Sequence, residues 1–533
     1  VTILWLPQNN NKTKRTYLNI VTNIVLLLPI ASPANAEINA SVPVKTSPIE
    51  NGIDHIEQQQ LRNQSQQLVQ QQQQQIIAET ESQNPTTKNT VTAETTDPQI
   101  ATRQIAPETA IFIAINQQNW TALRQIVQQY QQLDSANPDI LLFANAALNA
   151  ANDNIHTAIS QYQQLLAHQP DFVRARLDLA RLYYQDRLLN QAQAEFAQLK
   201  QVPNIPPSVL TNIDAYLTAI NNRQRINGTF AMTLSYDDNI KDTSTSDASY
   251  CFAYAPDGTC LTSASSTEKP IKDSSIGYQI SLNRDWQLQG HHGIAANVLS
   301  YATAYQHNKN DDNNTATINA SLGYRYADHN SEITLAPVIE YHRENQQKLY
   351  DAKGMRLGIQ QTLSKHGVQK LIPTAGAPSW SLDLEKTRYQ YDNGYESNDG
   401  DQLSAFASLA IPSSSQTQWV LLGDYIDRDN VFSANAYHQK GIGIASSHRW
   451  DNGIQTTLIA RQRWRKHDSY NALLQARRED KQYILSANMR LPNFAWHGFE
   501  PSISYQYQRN DSNIDWLYDY DSSKLGLKLQ RVF

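Results

Sequence analysis

Cys251 and Cys260 stand nine residues apart in a polar stretch between two strand-like segments. In an oxidising compartment such a pair is expected to form a structural disulfide that closes a small loop. Two cysteines cannot supply a four-ligand zinc site. His291 and His292 are adjacent on a turn, so their side chains diverge, and a shared metal ion is not expected. The acidic pairs Asp237–Asp238 and Asp311–Asp312 have the chemistry of calcium ligands but read as solvated loop carboxylates. Arg461, Arg463 and Arg465 share one face of a strand whose other face carries Leu458, Ala460 and Trp464. They are candidate lumen residues of a barrel. There they pair with acidic groups of neighbouring strands, or guide an acidic or extended substrate. No G-x-S-x-G, H-E-x-x-H, P-loop or CxxC motif occurs. No catalytic, cofactor-binding or metal-ligating residue is therefore assigned, no cofactor is expected, and the chain does not read as an enzyme.

The 533 residues that must position these groups are 18% charged and 40% apolar, with a net charge of −6. That balance excludes a nucleic-acid binder with a basic surface. No apolar run of about 18 residues occurs outside the extreme N-terminus, which excludes a helical membrane protein. Six Tyr and two Trp precede Ile226, whereas 21 Tyr and seven Trp follow. The chain is compositionally two parts joined near residue 225.

Residues 1–36 read as a secretory signal. Lys12, Lys14 and Arg15 precede the short apolar run Ile20–Ala31, and Ala34-Asn35-Ala36 offers a cleavage site. Residues 37–105 are Gln-rich, with runs at 58–60 and 70–75, and too polar to offset the entropy of ordering. They read as a disordered linker, with a Gln-rich coiled coil near 56–77 as the alternative. Helical periodicity fills 106–224, and a repeat emerges. Ala146 recurs as Ala180, Ala158 as Ala192, Tyr162 as Phe196 and Leu165 as Leu199, each 34 residues on. That is the period of a tetratricopeptide helix pair. The small alanines allow close helix approach, and the aromatics fill the space between pairs.

From Ile226 the period becomes two. In Thr315–Tyr326, Ala316, Ile318, Ala320, Leu322, Tyr324 and Tyr326 alternate with Thr, Asn, Ser, Gly and Arg. About 14 such strands fit residues 225–533, with Tyr and Trp near strand ends and short turns alternating with longer loops, as in a transmembrane β-barrel. In the last strand Leu525, Leu527, Leu529 and the terminal Phe533 share one face, interrupted by Arg531. A terminal aromatic on an alternating strand resembles the assembly signal of bacterial outer-membrane barrels.

The predicted fold is thus α plus transmembrane β: a tetratricopeptide-like α-solenoid followed by an antiparallel β-barrel of about 14 strands. This order, with Leu234-Ser-Tyr-Asp-Asp-Asn-Ile240 at the end of the first strand, resembles the surface lipoprotein assembly modulator family of Gram-negative bacteria. The resemblance covers residues 106–533. It implies a barrel in the outer membrane with its repeats in the periplasm. It also implies delivery of a substrate protein, a surface lipoprotein or a soluble haem- or iron-binding protein, to the cell surface. The implied partners are that substrate, the barrel assembly machinery and outer-membrane lipid. A polysaccharide export porin, or a passive porin with a periplasmic scaffolding domain, remains the alternative.

Overall fold

The computed structural model describes residues 106–247, 249–265, 269–307, 313–363, 376–472 and 474–533. The expected signal segment, the Gln-rich segment and the Asp311–Asp312 pair lie outside the described residues. Seven helices come first: α1 (Pro107–Asn116), α2 (Trp120–Tyr130), α3 (Pro138–Ala151), α4 (Ile155–His168), α5 (Val173–Gln185), α6 (Leu189–Leu199) and α7 (Pro207–Gln224). Proline opens α1, α3 and α7, where its missing N–H would have no helical partner anyway. The Asn119 and Asn137 side chains accept hydrogen bonds from the amides of Ala122 and Asp139, at 3.1 and 2.9 Å, and so cap α2 and α3. Gln118, Asp153 and Arg187 follow the first helix of successive pairs with φ of 53, 66 and 62°. Each left-handed residue turns the chain sharply, so the second helix folds back on the first.

The stacked pairs share one apolar core. Ala146, Ala158, Ala180 and Ala192 are fully buried within it, as is Phe196, and Tyr162 is nearly so. Tyr162 meets Phe143 edge-on, with ring centroids 5.9 Å apart, and Phe196 stacks on Tyr216 of α7 at 5.0 Å.

Only Arg225 and Ile226 separate α7 from β1 (Asn227–Asp237). The hairpin β2 (Ser249–Tyr254) and β3 (Cys260–Ser265) follows. Then come β4 (Asp273–Gln287), β5 (His292–Tyr305), β6 (Thr315–Ala327), β7 (Ser331–Glu344), β8 (Gln347–Thr362), β9 (Ser379–Tyr391) and β10 (Gly400–Pro412). The remainder are β11 (Thr417–Arg428), β12 (Tyr437–Arg449), β13 (Gln455–His467), β14 (Glu479–Arg490), β15 (Glu500–Ser512) and β16 (Tyr520–Val532). Fourteen strands, β1 and β4–β16, form a closed antiparallel barrel in which β1 pairs with both β4 and β16. Closure leaves no unpaired edge, a condition for a sheet in hydrocarbon.

Alternation sets the two faces of the wall. Leu234, Leu322, Ile339, Ile442 and Leu458 are each 57–60% exposed on the outside. So large an apolar surface belongs in lipid rather than water. The intervening Thr229, Thr317, Asn319 and Glu340 face inward and are buried. Exposed Tyr236, Tyr341 and Tyr425 lie toward one rim, and Trp286, Trp419 and Trp450 mark the other.

The rim beside the helices is the inner one, since β1 starts there. The alternation of short inner turns with long outer loops fails at three places, one of them the inner connection 491–499 between β14 and β15, which is longer than the outer connection 513–519. The outer connection of β7 and β8 is only Asn345–Gln346, both left-handed at φ 45 and 61°. Two such residues match the twist of a tight hairpin. The inner connection of β8 and β9, residues 363–378, is a long one.

Candidate functional site

The first helices of the pairs carry a polar network along the stack. Arg174 of α5 donates to Asn116 at the end of α1 at 3.0 Å and to Asp178 one turn on at 2.9 Å. Arg181 of α5 donates to the Tyr216 hydroxyl of α7 at 3.3 Å. Stacked helix pairs present an extended surface of this kind to peptide partners.

The stack meets the barrel at its inner rim through Asp186, the residue that ends α5. The left-handed Arg187 turns the chain just after it, leaving the Asp186 carboxylate aimed at two barrel turns. His291, between β4 and β5, places Nε2 at 2.9 Å from Oδ2. His329, between β6 and β7, places Nδ1 at 3.1 Å from Oδ1, and its amide donates to the same oxygen at 3.3 Å. His156, in the first turn of α4, brings Nε2 to 4.0 Å from Oδ1. Burial pushes the Asp186 carboxyl up, but the bonds to His329 and His291 outweigh it and hold the group below its ordinary value. The bond to Asp186 lifts His329 above the ordinary histidine range against the opposing effect of burial. Asn190 at the start of α6 extends the contact, donating its amide to Gln287 Oε1 at 2.9 Å.

Beside this contact lies a cavity of about 110 Å³ lined by Arg187, Arg223, Asp285, Gln287, Arg325 and Glu332, among others. Arg325 grips Glu332 with two bonds of 3.0 and 3.1 Å and sits 3.5 Å from Asp285. Burial, reinforced by neighbouring Arg187, pulls Arg223 down to about 10. Its guanidinium lies 4.4 Å over the Tyr184 ring. The inner mouth of the barrel is therefore a charged vestibule roofed by α6 and α7.

Inside the wall, polar groups pair with one another. Glu340 accepts from Asn319 and from the Tyr350 hydroxyl, both at 2.8 Å. Arg356 donates to Glu385 at 2.6 Å and to Asn319 at 3.3 Å. Across the barrel, Arg461 and Arg463 lie 3.9 and 3.6 Å from the carboxylate of Asp424. Asp424 is on β11 and the arginines on β13, so it must reach over β12. Gly441, its register partner there, makes this reach feasible: a Cβ at 441 would stand 2.5 Å from the carboxylate. Arg465 donates to Gln439 at 3.0 Å and lies 4.6 Å over the Tyr437 ring. Residues such as Glu340, Glu385, Asp424 and Arg461 are 3–7% exposed, whereas a wide aqueous channel would leave its lining accessible.

Cys251 and Cys260 are joined across the β2–β3 hairpin, in the first outer connection. His291 and His292 do diverge, the second facing the Tyr324 hydroxyl at 2.6 Å. Sequence reasoning missed Asp186, His156 and His329, which nothing in their neighbourhoods singles out. It also missed Asp424, for which the Gly441–Gly443 alternation on β12 was the available signal. Leu525, Leu527 and Leu529 of β16 lie opposite Tyr236, Leu234 and Met232 of β1, all facing outward. Phe533 extends this seam: its amide and carbonyl exchange hydrogen bonds of 3.0 and 2.9 Å with Gly228. Arg531, which breaks the apolar row, lies 5.8 Å over the Phe499 ring at the inner rim.

Both parts of the chain have known relatives. The family model described as "Surface lipoprotein assembly modifier" matches residues 227–533, and its "N-terminal TPR repeats" model matches 93–196. The chain is 28% identical over 439 residues to the "Hemophilin secretion modulator" of Acinetobacter baumannii, covering 80% of this chain and 85% of that one. It is 23% identical over 451 residues to the "Surface lipoprotein assembly modifier" of Pasteurella multocida, covering 82% and 84%. With "Surface lipoprotein assembly modifier 1" of Neisseria meningitidis serogroup B the figures are 22% over 432 residues, 80% and 82%. With the barrel and the repeat stack both matched, the chain belongs to the surface lipoprotein assembly modifier family, whose barrel sits in the bacterial outer membrane.

Proposed function

We propose that this protein receives a substrate protein in the periplasm on its repeat stack and delivers it across the outer membrane to the cell surface. The observation that carries this reading is the short link and the direct contact between the two parts. Helix α7 runs into β1 through only Arg225 and Ile226, and Asp186 pins the stack to two inner turns. A chain held by the stack is thereby presented at the inner mouth. The substrate is a soluble haem- or iron-acquisition protein or a surface lipoprotein. The higher identity to a hemophilin secretion modulator, 28% against 23%, favours a secreted, hemophilin-type substrate. The outward Leu525, Leu527, Leu529 and Phe533 face lipid, and the strand they form serves the barrel assembly machinery as its signal.

The test is co-expression of this chain with a candidate hemophilin-type protein and with a candidate lipoprotein. Supernatant and protease-shaved surface fractions are then probed. Delivery of one of them by the parent, and none by a chain lacking residues 107–224, is the expected result. Equal delivery without the repeats would refute the role given to the stack.

A further inference from the structure

We propose that His156, Asp186 and His329 form a binding site for a divalent cation of the zinc class, which clamps the repeat stack onto the inner turns of the barrel. This site is independent of which substrate is carried.

The three residues come from three separate elements: the first turn of α4, the end of α5 and the β6–β7 turn. Their ligand atoms all lie within 4.8 Å of one another. Zinc bonds of about 2.0–2.2 Å to imidazole and carboxylate put tetrahedral ligand atoms about 3.3 Å apart. His329 Nδ1 already stands 3.1 Å from Asp186 Oδ1, and His156 Nε2 is 4.0 Å away. Only His156 has to close in. Its side chain is 53% exposed, so a small rotation of the ring suffices.

Hydrogen bonding accounts for His329 and His291 on Asp186, but it does not account for His156. At 4.0 Å this ring is beyond hydrogen-bond reach of the carboxylate. Yet it stacks on His291, with centroids 5.8 Å apart and planes 11° from parallel, and its centroid is 5.3 Å from that of His329. Two imidazoles thus flank one buried carboxylate from opposite parts of the chain. Imidazole with a single carboxylate suits zinc and its neighbours. Calcium and magnesium require more oxygen ligands.

Outer partners are also in place. His291 holds Oδ2 of Asp186 at 2.9 Å, and Oδ1 accepts the His329 amide at 3.3 Å, which leaves the second lone pair of Oδ1 for the ion. The far nitrogen of His329 lies 2.7 Å from the Asn330 amide group. With Nδ1 on a metal, that nitrogen carries the hydrogen and donates to the amide oxygen once the amide is turned over. Because His156 and Asp186 belong to the stack and His329 to the barrel, the ion binds only the docked arrangement. By linkage it holds that arrangement in place.

The experiment uses the full-length protein in detergent, stripped of metal, without a polyhistidine tag, and checked for folding by heat-modifiable migration. Zinc is titrated in competition with a chromophoric chelator. The parent should take up one zinc per chain, with calcium and magnesium failing to compete. His156→Ala should weaken binding more than about tenfold, the lower end of what even outer partners of a metal contribute, and His329→Gln likewise. His292→Ala, next to the site but facing Tyr324, should bind as the parent does. Zinc should also slow tryptic cleavage at Arg187 and Arg225, and His156→Ala should abolish that protection. Because His156 is half exposed, its variant keeps the fold. If His156→Ala binds zinc as tightly as the parent, the proposal is overturned and the cluster is a hydrogen-bonded junction alone. Zinc binding by the parent no tighter than by the His156→Ala/His329→Gln double variant would be equally decisive against it.

Discussion

Phe196→Ala tests whether the stack and the barrel are separately stable. Phe196 is fully buried and stacks on Tyr216 of α7 at 5.0 Å. Tyr216 in turn meets Tyr184 edge-on at 5.2 Å. Truncation to alanine leaves a cavity and removes one ring of this set. The expected cost is about 3–5 kcal/mol, of which about 0.5–1.5 kcal/mol belongs to the lost aromatic pair. Stacked repeats couple mainly to their neighbours, so the loss falls on the α6–α7 interface, next to the join with β1. Against a domain stability of about 5–15 kcal/mol this is a large fraction. At roughly 4 °C per kcal/mol, the helical circular dichroism signal should melt about 12–20 °C lower. Heat-modifiable migration of the barrel should be unchanged, and substrate delivery should fall with the helical signal. Leu133→Ala, at a position 45% exposed, is the control and should change stability by less than about 0.5 kcal/mol. If the barrel transition moves down together with the helical one, the two parts form a single cooperative unit and the reasoning fails.

Three further outcomes are expected. Gly441→Val should displace the Asp424 carboxylate, 2.5 Å from the new Cβ, and strand Arg461 and Arg463 at a cost of about 3–5 kcal/mol. Barrel unfolding in urea should shift accordingly, whereas Gly423→Ala, with nothing within 4 Å of its Cβ, should not shift it. Deleting Phe533 removes two seam hydrogen bonds, worth about 1–3 kcal/mol together. Membrane fractionation should show a loss of assembled barrel far beyond that energy, with Val532→Thr near normal, if the residue is read as a signal. Reducing Cys251–Cys260 should relax the hairpin by about 2–3 kcal/mol, seen as faster protease cleavage within residues 250–265. Barrel migration should stay constant.

The parts of the fold legible in the sequence are those whose spacing is imposed locally. Ala146 and Ala180, like Ala158 and Ala192, sit where helices of a pair cross. A repeated contact demands a repeated small residue, and the 34-residue period makes it visible. Strand alternation is visible because lipid and lumen impose opposite polarity on successive side chains, as at Ile318 and Asn319. The tight Asn345–Gln346 turn was not legible, because neither residue is the glycine that usually marks a left-handed position. Nor was the junction. Asp186 meets His291 and His329 across 105 and 143 residues, and nothing local to any of them requires the others. Asp424 reached Arg463 only through the register of three strands, which alternation alone does not set.

The composition of the junction bears on how the two parts work together. The stack is held by a continuous apolar core, and the barrel by closed backbone ladders in lipid. Between them lie Asp186, Asn190, Gln224, Gln287, His291 and His329, a polar set. Each neutral hydrogen bond in such a set is worth only about 0.5–1.5 kcal/mol net, and each bond to the Asp186 carboxylate about 1.5–3 kcal/mol, and a polar contact between domains behaves like a transient interface. The junction therefore opens at lower cost than either part unfolds. The two-residue link Arg225–Ile226 keeps an opened stack at the mouth of the barrel. A receiving surface that can lift from the vestibule and settle back, without either domain losing its structure, suits a protein that must take a substrate from one side and release it on the other.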